Sequence, residues 1–124
     1  QQLYLIKKHI EKRNIDSKII ECKTIREKNG VACSSRNLRL NSQQIDIASN
    51  IFHYLYGLKK RINKNYKVFN LNDVKKKIME LGARKVEYIE NYNVKNFKKI
   101  NSSKKRFNIF ISYYLKNIRL IDNI

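Results

Sequence analysis

Residues 107–113 read Phe107-Asn108-Ile109-Phe110-Ile111-Ser112-Tyr113, and their alternation decides the architecture. Phe107, Ile109, Ile111 and Tyr113 fall at every second position, so in an extended chain they share one face and belong against a core. Residues 86–90 (VEYIE) alternate in the same way, and residues 118–121 offer a third short strand. Upstream the period changes from two to that of a helix. Ile45, Ala48, Phe52, Leu55 and Ile62 line one face of a helix that Ser42 is placed to cap. Leu71, Val74, Ile78 and Leu81 recur at spacings of three, four and three, with Asn70 or Asn72 as the cap. Gly82 stands where a left-handed residue would stop that helix. Two helices followed by antiparallel strands predict a small α+β module.

Further upstream, Leu3, Ile6 and Ile10 form one apolar stripe over residues 1–13, with Lys7, Lys8 and Lys12 outside it, which predicts an amphipathic helix. Residues 17–22 (SKIIEC) read as a short buried strand. Residues 24–41 have no sustained period and contain Gly30, Ser34 and Ser35. They read as a long ordered loop, and loops of that length in compact domains are usually functional.

A chain of 124 residues with 42% apolar content suits one domain, or one small domain plus part of another. No apolar stretch approaches the roughly 20 residues that span a bilayer. No secretory segment opens the chain, and without a leading Met its first residue is expected not to be a natural start. Cys22 and Cys33 are too few for a disulfide framework, so a cytoplasmic protein is expected. The net charge of +18, from 28 Lys and Arg against 10 acids, would draw phosphates. Yet Lys, Asn and Ile make up 54 of the 124 residues, the signature of A- and T-rich codons. The basic residues are also scattered: Lys7 and Lys8, then the runs 59–61, 75–77, 98–99 and 104–106. Neither an aromatic-interleaved motif nor a helix-turn-helix organises them. A solvated surface shaped by codon bias is the simpler reading.

The loop holds the chemistry. Arg26-Glu27-Lys28-Asn29-Gly30-Val31-Ala32-Cys33-Ser34-Ser35-Arg36-Asn37 sets two adjacent hydroxyls beside a guanidinium, after a glycine that can turn the chain. Hydroxyls, loop amides and an Arg fork suit phosphate oxygens and the charge that develops in adenylyl or phosphoryl transfer. As a bare pattern, Ser-Ser-Arg-Asn is a weak signal and reads better as a capped surface turn. His9 and His53 sit on separate helical stretches without a partner constellation and read as ordinary helix residues. The two cysteines lack the spacing of a zinc site.

Context sharpens the loop. The run TIREKNGVACSSRNLRL resembles the signature of the pantothenate synthetase (pantoate–β-alanine ligase) family. The opening Gln1-Gln2-Leu3 resembles the end of that family's Lys-Asp-x-Gln-Gln-Leu motif, and the closing Arg119-Leu120-Ile121-Asp122-Asn123 its final Arg-Leu-Ile-Asp-Asn. The three segments stand in the family's order and span the chain. The resemblance implies an α/β fold, with the end of a Rossmann-like nucleotidyltransferase domain of the HIGH/KMSKS type over residues 1–41. A small α+β lid domain with two helices and a short antiparallel sheet would occupy residues 42–124. It implies a ligase that uses ATP to form a pantoyl adenylate with loss of pyrophosphate. The β-alanine amine then displaces AMP to give pantothenate. By the same resemblance Ile25, Cys33, Ser34, Ser35 and Arg36 would bind ATP and Gln2 would bind pantoate, with Mg2+ riding on the ATP phosphates. The intact enzyme would be a cytoplasmic homodimer. Three positions depart from the pattern: Lys23 stands at a usual Pro, Asn29 at a frequent Asp and Cys33 at an apolar residue such as Met or Leu.

The family's HIGH-type histidines, a first pantoate-binding glutamine and the Gly-x-Lys-Asp segment have no match here. No catalytic side chain is therefore assigned within these residues, and the chain by itself is expected to be inactive and weakly stable. Two other readings stand beside the ligase: a small basic RNA- or DNA-binding module without catalysis, and a decayed remnant of the enzyme.

Overall fold

The computed structural model describes residues 2–65, 70–94, 96–100 and 107–124; Gln1 and the basic run 104–106 lie outside the described residues. In chain order it contains α1 (Gln2–Arg13), a 3-10 helix (Ser35–Arg39), α2 (Ser42–Asn65) and α3 (Leu71–Glu80). Three strands follow, β1 (Lys85–Asn93), β2 (Phe107–Leu115) and β3 (Ile118–Asn123). The strands form one sheet in the order β1-β2-β3, antiparallel throughout. The two helices and antiparallel sheet expected from the alternation are present. A parallel, Rossmann-like sheet is not found among the described residues.

The alternation of β2 works as the sequence implies. Phe107, Ile109, Ile111, Tyr113 and Leu115 are all buried, and they meet Ala48, Ile51, Leu55 and Ile62 of α2 and Val74 and Ile78 of α3 in one core. Ile51, almost fully buried, belongs to the inward face of α2 although the sequence reading passed over it. Phe52 and Ile45 of that reading are half-buried and pack against the core.

Local chemistry fixes the helix ends. Asn41, not Ser42, caps α2: Gln44 N donates to Asn41 Oδ1 (2.9 Å) and Asn41 N donates to Gln44 Oε1 (3.0 Å), a reciprocal capping box. Ser42 belongs to the same class of capping residues as Asn41, and the Gln three residues after Asn41 distinguishes the two positions. Asn70 caps α3, accepting from Asn72 N. Gly82 ends α3 at φ +113°, with Gly82 N donating to Met79 O and Ala83 N to Ile78 O, the paired bonds of a Schellman turn.

Residues 17–22 are not the buried strand expected of them. They have no regular structure and are largely exposed, with Ile20 at 77%. No neighbouring strand among the described residues offers them a ladder, and an isolated apolar run cannot satisfy its backbone by itself. For the same reason the apolar stripe of α1 stays uncovered: the helix buries no residue completely. It is fastened instead by Tyr4, whose ring stacks on Phe97 (centroids 5.3 Å), and Phe97 in turn stacks on Tyr92 (4.6 Å). No described helix is long and apolar enough to cross a membrane.

A bulge in β1 carries one polar clasp. The register slips between Val86 and Tyr88, leaving Glu87 unpaired in the ladder. Its carboxylate accepts from the fully buried Ser112 hydroxyl on β2 (2.7 Å) and from Arg119 Nε on β3 (2.7 Å), so one side chain joins all three strands. Those hydrogen bonds, the Ser112 hydroxyl first, hold Glu87 below the ordinary carboxylate value of 4.5. A depressed carboxylate stabilises the fold above its unfolded pKa, and that contribution is lost as pH falls through the lower folded value. Glu87→Gln should therefore unfold at lower urea concentration than wild type near neutral pH, with the gap closing in acid. A gap that stays constant across the titration would contradict this role for the carboxylate.

Candidate functional site

The loop expected between residues 24 and 41 is a small hairpin followed by the 3-10 helix. Arg26 and Ala32 bridge across it, Glu27 N donates to Val31 O (2.8 Å) and Cys33 N donates to Ile25 O (3.0 Å). Asn29 Oδ1 accepts from Val31 N at the tip. Gly30 closes the turn at φ +87°, and a Cβ there would lie 2.2 Å from the Phe52 ring, so both backbone angle and space require glycine. Ser34 then caps the 3-10 helix, its hydroxyl accepting from Arg36 N (3.2 Å). Asn37 Nδ2 donates to Ala32 O (2.9 Å), which ties the last residue of the Ser-Ser-Arg-Asn run back to the hairpin.

Arg26 anchors this unit. Its Nη1 donates to Asp122 Oδ2 (2.8 Å) and Gly30 O (3.0 Å), and its Nη2 donates to Asp122 Oδ1 (3.0 Å) and Asn123 O (3.0 Å). The pair is mostly shielded, with 21% and 13% of the two side chains exposed. The guanidinium also lies 4.5 Å from the centre of the Phe52 ring, so α2 and β3 grip it together. Ser49 Oγ donates to Asn29 O (2.8 Å), and Val31 in the hairpin and Leu40 near the end of the loop sink into the core.

The structure brings the five ATP-binding candidates together. Cys33, Ser34, Ser35 and Arg36 are consecutive and exposed, and Ile25, 75% exposed, flanks them across the hairpin. Ile25 lends its carbonyl to the Cys33 amide. Among the described residues the Arg36 side chain has no hydrogen bond or ion pair, so its donors are open to a ligand. A cavity of about 230 Å3 lies against the loop, lined by Cys33, Ser34 and Arg36, by apolar Leu55 and Ile111, and by Asp122. Tyr113 also borders it, and burial pushes its phenol above the ordinary value of 10, so it stays neutral there. The Cys33 thiol donates to Glu27 Oε1 (3.3 Å), which raises its pKa and disfavours a reactive thiolate.

Gln2 is not joined to that cluster: it is exposed in the first turn of α1, with no hydrogen bond or ion pair to the loop among the described residues. His9 and His53 are exposed, and His53 meets the edge of the Phe52 ring. No cluster of three or more His, Cys, Asp or Glu suited to a metal ion is found among the described residues. The basic runs fall on different elements, 59–61 on α2, 75–77 on α3 and 98–99 after β1.

Sequence reasoning missed Arg26, Asp122, Asn37 and Phe52 as parts of the site. Arg26 and Asp122 both stand inside motifs already singled out, but no local pattern reveals that residues 96 positions apart form one ion pair.

The family model for pantoate-beta-alanine ligase matches residues 1–124. The chain is 34% identical over 125 residues to the pantothenate synthetase of Ruthia magnifica subsp. Calyptogena magnifica and 35% identical over 126 residues to that of Christiangramia forsetii. It is covered completely in both matches but spans only 44% of each relative. Among solved structures it is similar to the pantoate-beta-alanine ligase of Francisella tularensis complexed with beta-gamma ATP and beta-alanine. That match has 34% identity and TM-score 0.66, covering 99% of this chain and 39% of that one. The pantothenate synthetase of Thermus thermophilus, at 18% identity, shares the fold with TM-score 0.80 over 99% of this chain and 45% of its own. The nucleic-acid reading finds no support in these matches.

Two glycines give opposite expectations for stability. Gly30→Ala forces both a strained backbone and a clash with Phe52, and should cost about 2–4 kcal/mol in urea unfolding. Gly57, inside α2 with open space around a new Cβ, should gain roughly 0.5–1 kcal/mol as Ala. Equal effects at the two sites would contradict the packing of the hairpin tip on Phe52.

Proposed function

The chain belongs to the pantoate-beta-alanine ligase family, and on that premise we propose that it carries the nucleotide loop and lid of an ATP-dependent ligase that condenses pantoate with β-alanine. The observation that carries this reading is the ordered loop in which Ser34, Ser35 and an Arg36 with open donors stand exposed side by side. The rest of the catalytic machinery belongs to the part of the longer relatives that these 124 residues do not span. Residues 1–41 end the nucleotide-binding domain, which is of the Rossmann-like type, and residues 42–124 form the lid.

In the first step a pantoate carboxylate oxygen attacks the α-phosphorus of ATP, and the bond to the β-phosphate breaks with departure of pyrophosphate. In the second, the β-alanine amine attacks the acyl carbon, the bond to AMP breaks and the amine loses a proton. No side chain here need form a covalent bond. Ser34 and Ser35 donate hydroxyl hydrogen bonds, and Arg36 offers a charged fork that neutralises the developing phosphate charge. Cys33 and the exposed Ile25 flank the nucleotide, and Ile25 contributes through its backbone. Gln2 contacts pantoate, since an amide can both donate to a carboxylate and accept from a hydroxyl. Mg2+ enters with the ATP phosphates as part of the substrate. The full protein works as a homodimer in the cytoplasm.

AMP release from ATP, pantoate and β-alanine, measured on this chain joined to its native upstream sequence, tests the reading. AMP should form only with all three substrates present, and Arg36→Ala should lower the rate roughly a hundredfold to a thousandfold, the range for loss of one charge-stabilising group. A folded protein without turnover would overturn the ligase. Steeply salt-dependent binding of generic RNA or DNA by that same protein would put a basic binding module in its place.

A further inference from the structure

The loop contains three arginines, Arg26, Arg36 and Arg39, and the structure separates their tasks. Four of the five N–H donors of Arg26 are spent on Asp122, Gly30 O and Asn123 O, and its charge is matched by the Asp122 carboxylate. It cannot turn to a phosphate without breaking that fork, whereas Arg36 can. The connections of the loop are also one-sided. Downstream it is tied to β3 through Arg26 and to α2 through Ser49, Phe52 and the Asn41–Gln44 box. Upstream, residues 18–24 make no backbone hydrogen bond among the described residues, and their link to α1 is the exposed Lys7–Glu21 ion pair, a weak tether in water beside the shielded fork of Arg26.

We propose that Arg26 is a positioning residue. Its fork on Asp122 holds the segment carrying Ser34, Ser35 and Arg36 as one body with the sheet, so that loop and lid present the phosphate-binding groups together. The assignment rests on the ligase reading for its catalytic consequence and on the geometry alone for the tether.

Two readouts test it, with Asp122→Asn as the near-isosteric variant that removes the charge and Arg26→Lys as the one that keeps charge but loses the fork. The first is amide hydrogen exchange, read without any substrate. In Asp122→Asn the amides of Glu27, Cys33 and Asn37 should exchange at least about tenfold faster while those of β1 stay within about twofold. The second is steady-state kinetics on the chain with its native upstream sequence. Both variants should raise the KM for ATP about tenfold or more and leave the KM for β-alanine within about twofold, a split that a general loss of folded protein does not produce. Faster loop exchange with an unchanged ATP KM would make the fork merely structural and overturn the positioning role. Turnover by wild type with neither readout moving in the variants would overturn the tether alone. A wild type without turnover whose loop amides still respond to Asp122→Asn would overturn the ligase reading and leave the tether standing.

Discussion

The two-pronged ion pair between Arg26 and Asp122 is the constraint on which the site depends. A hairpin of a few residues has too little buried surface to hold its own position, and the entropy of fixing it must be offset by contacts elsewhere. Arg26 supplies them from the bridged stem of the hairpin, and Asp122 receives them from the same face of β3 as the buried Ile118 and Leu120. Because the pair is largely shielded from water, its attraction is weakened less by salt than that of surface pairs such as Lys8–Glu11. The closing segment Arg119–Asp122 thus works in two directions. Arg119 clasps Glu87 in the bulge of β1, and Asp122 clasps the loop.

That arrangement divides labour within a strongly basic chain. The cation at the base of the loop is neutralised and rigid, and the cation at its crest is exposed. A phosphate-binding group works best when its position is set before the ligand arrives, since reorganisation then costs little at the moment of reaction. Among the described residues the other basic runs lie on different elements, 59–61 on α2, 75–77 on α3 and 98–99 after β1.

Much of the fold was legible because it rests on short-range periodicity. The alternation in β2, the helical stripes of α2 and α3 and the stop at Gly82 each depend on neighbours within a few residues. The misreadings occurred where the answer lay in a partner far along the chain or in one not found among the described residues. Residues 17–22 have the composition of a strand but no ladder to join among the described residues. Leu3 and Ile6 make a proper stripe on α1 but meet no complementary surface among the described residues, and they stay exposed at 39% and 52%. At the site, the Ser-Ser-Arg run stands out by residue type, and the structure finds it exposed and consecutive. Arg26, Asp122 and Phe52 could not be read so: the first two look like any charged surface residues and the third like any core aromatic until the fold brings them together.

A double-mutant cycle on Arg26 and Asp122, with Arg26→Ala, Asp122→Ala and the double variant compared by urea unfolding, tests the central claim most directly. If the fork holds the loop to the sheet, each single variant strands the other partner in a shielded place. The two losses should then fall short of additivity by about 1–3 kcal/mol. Losses that add to within about 0.5 kcal/mol would mean that the two side chains act independently, and that the loop is held by something other than this pair.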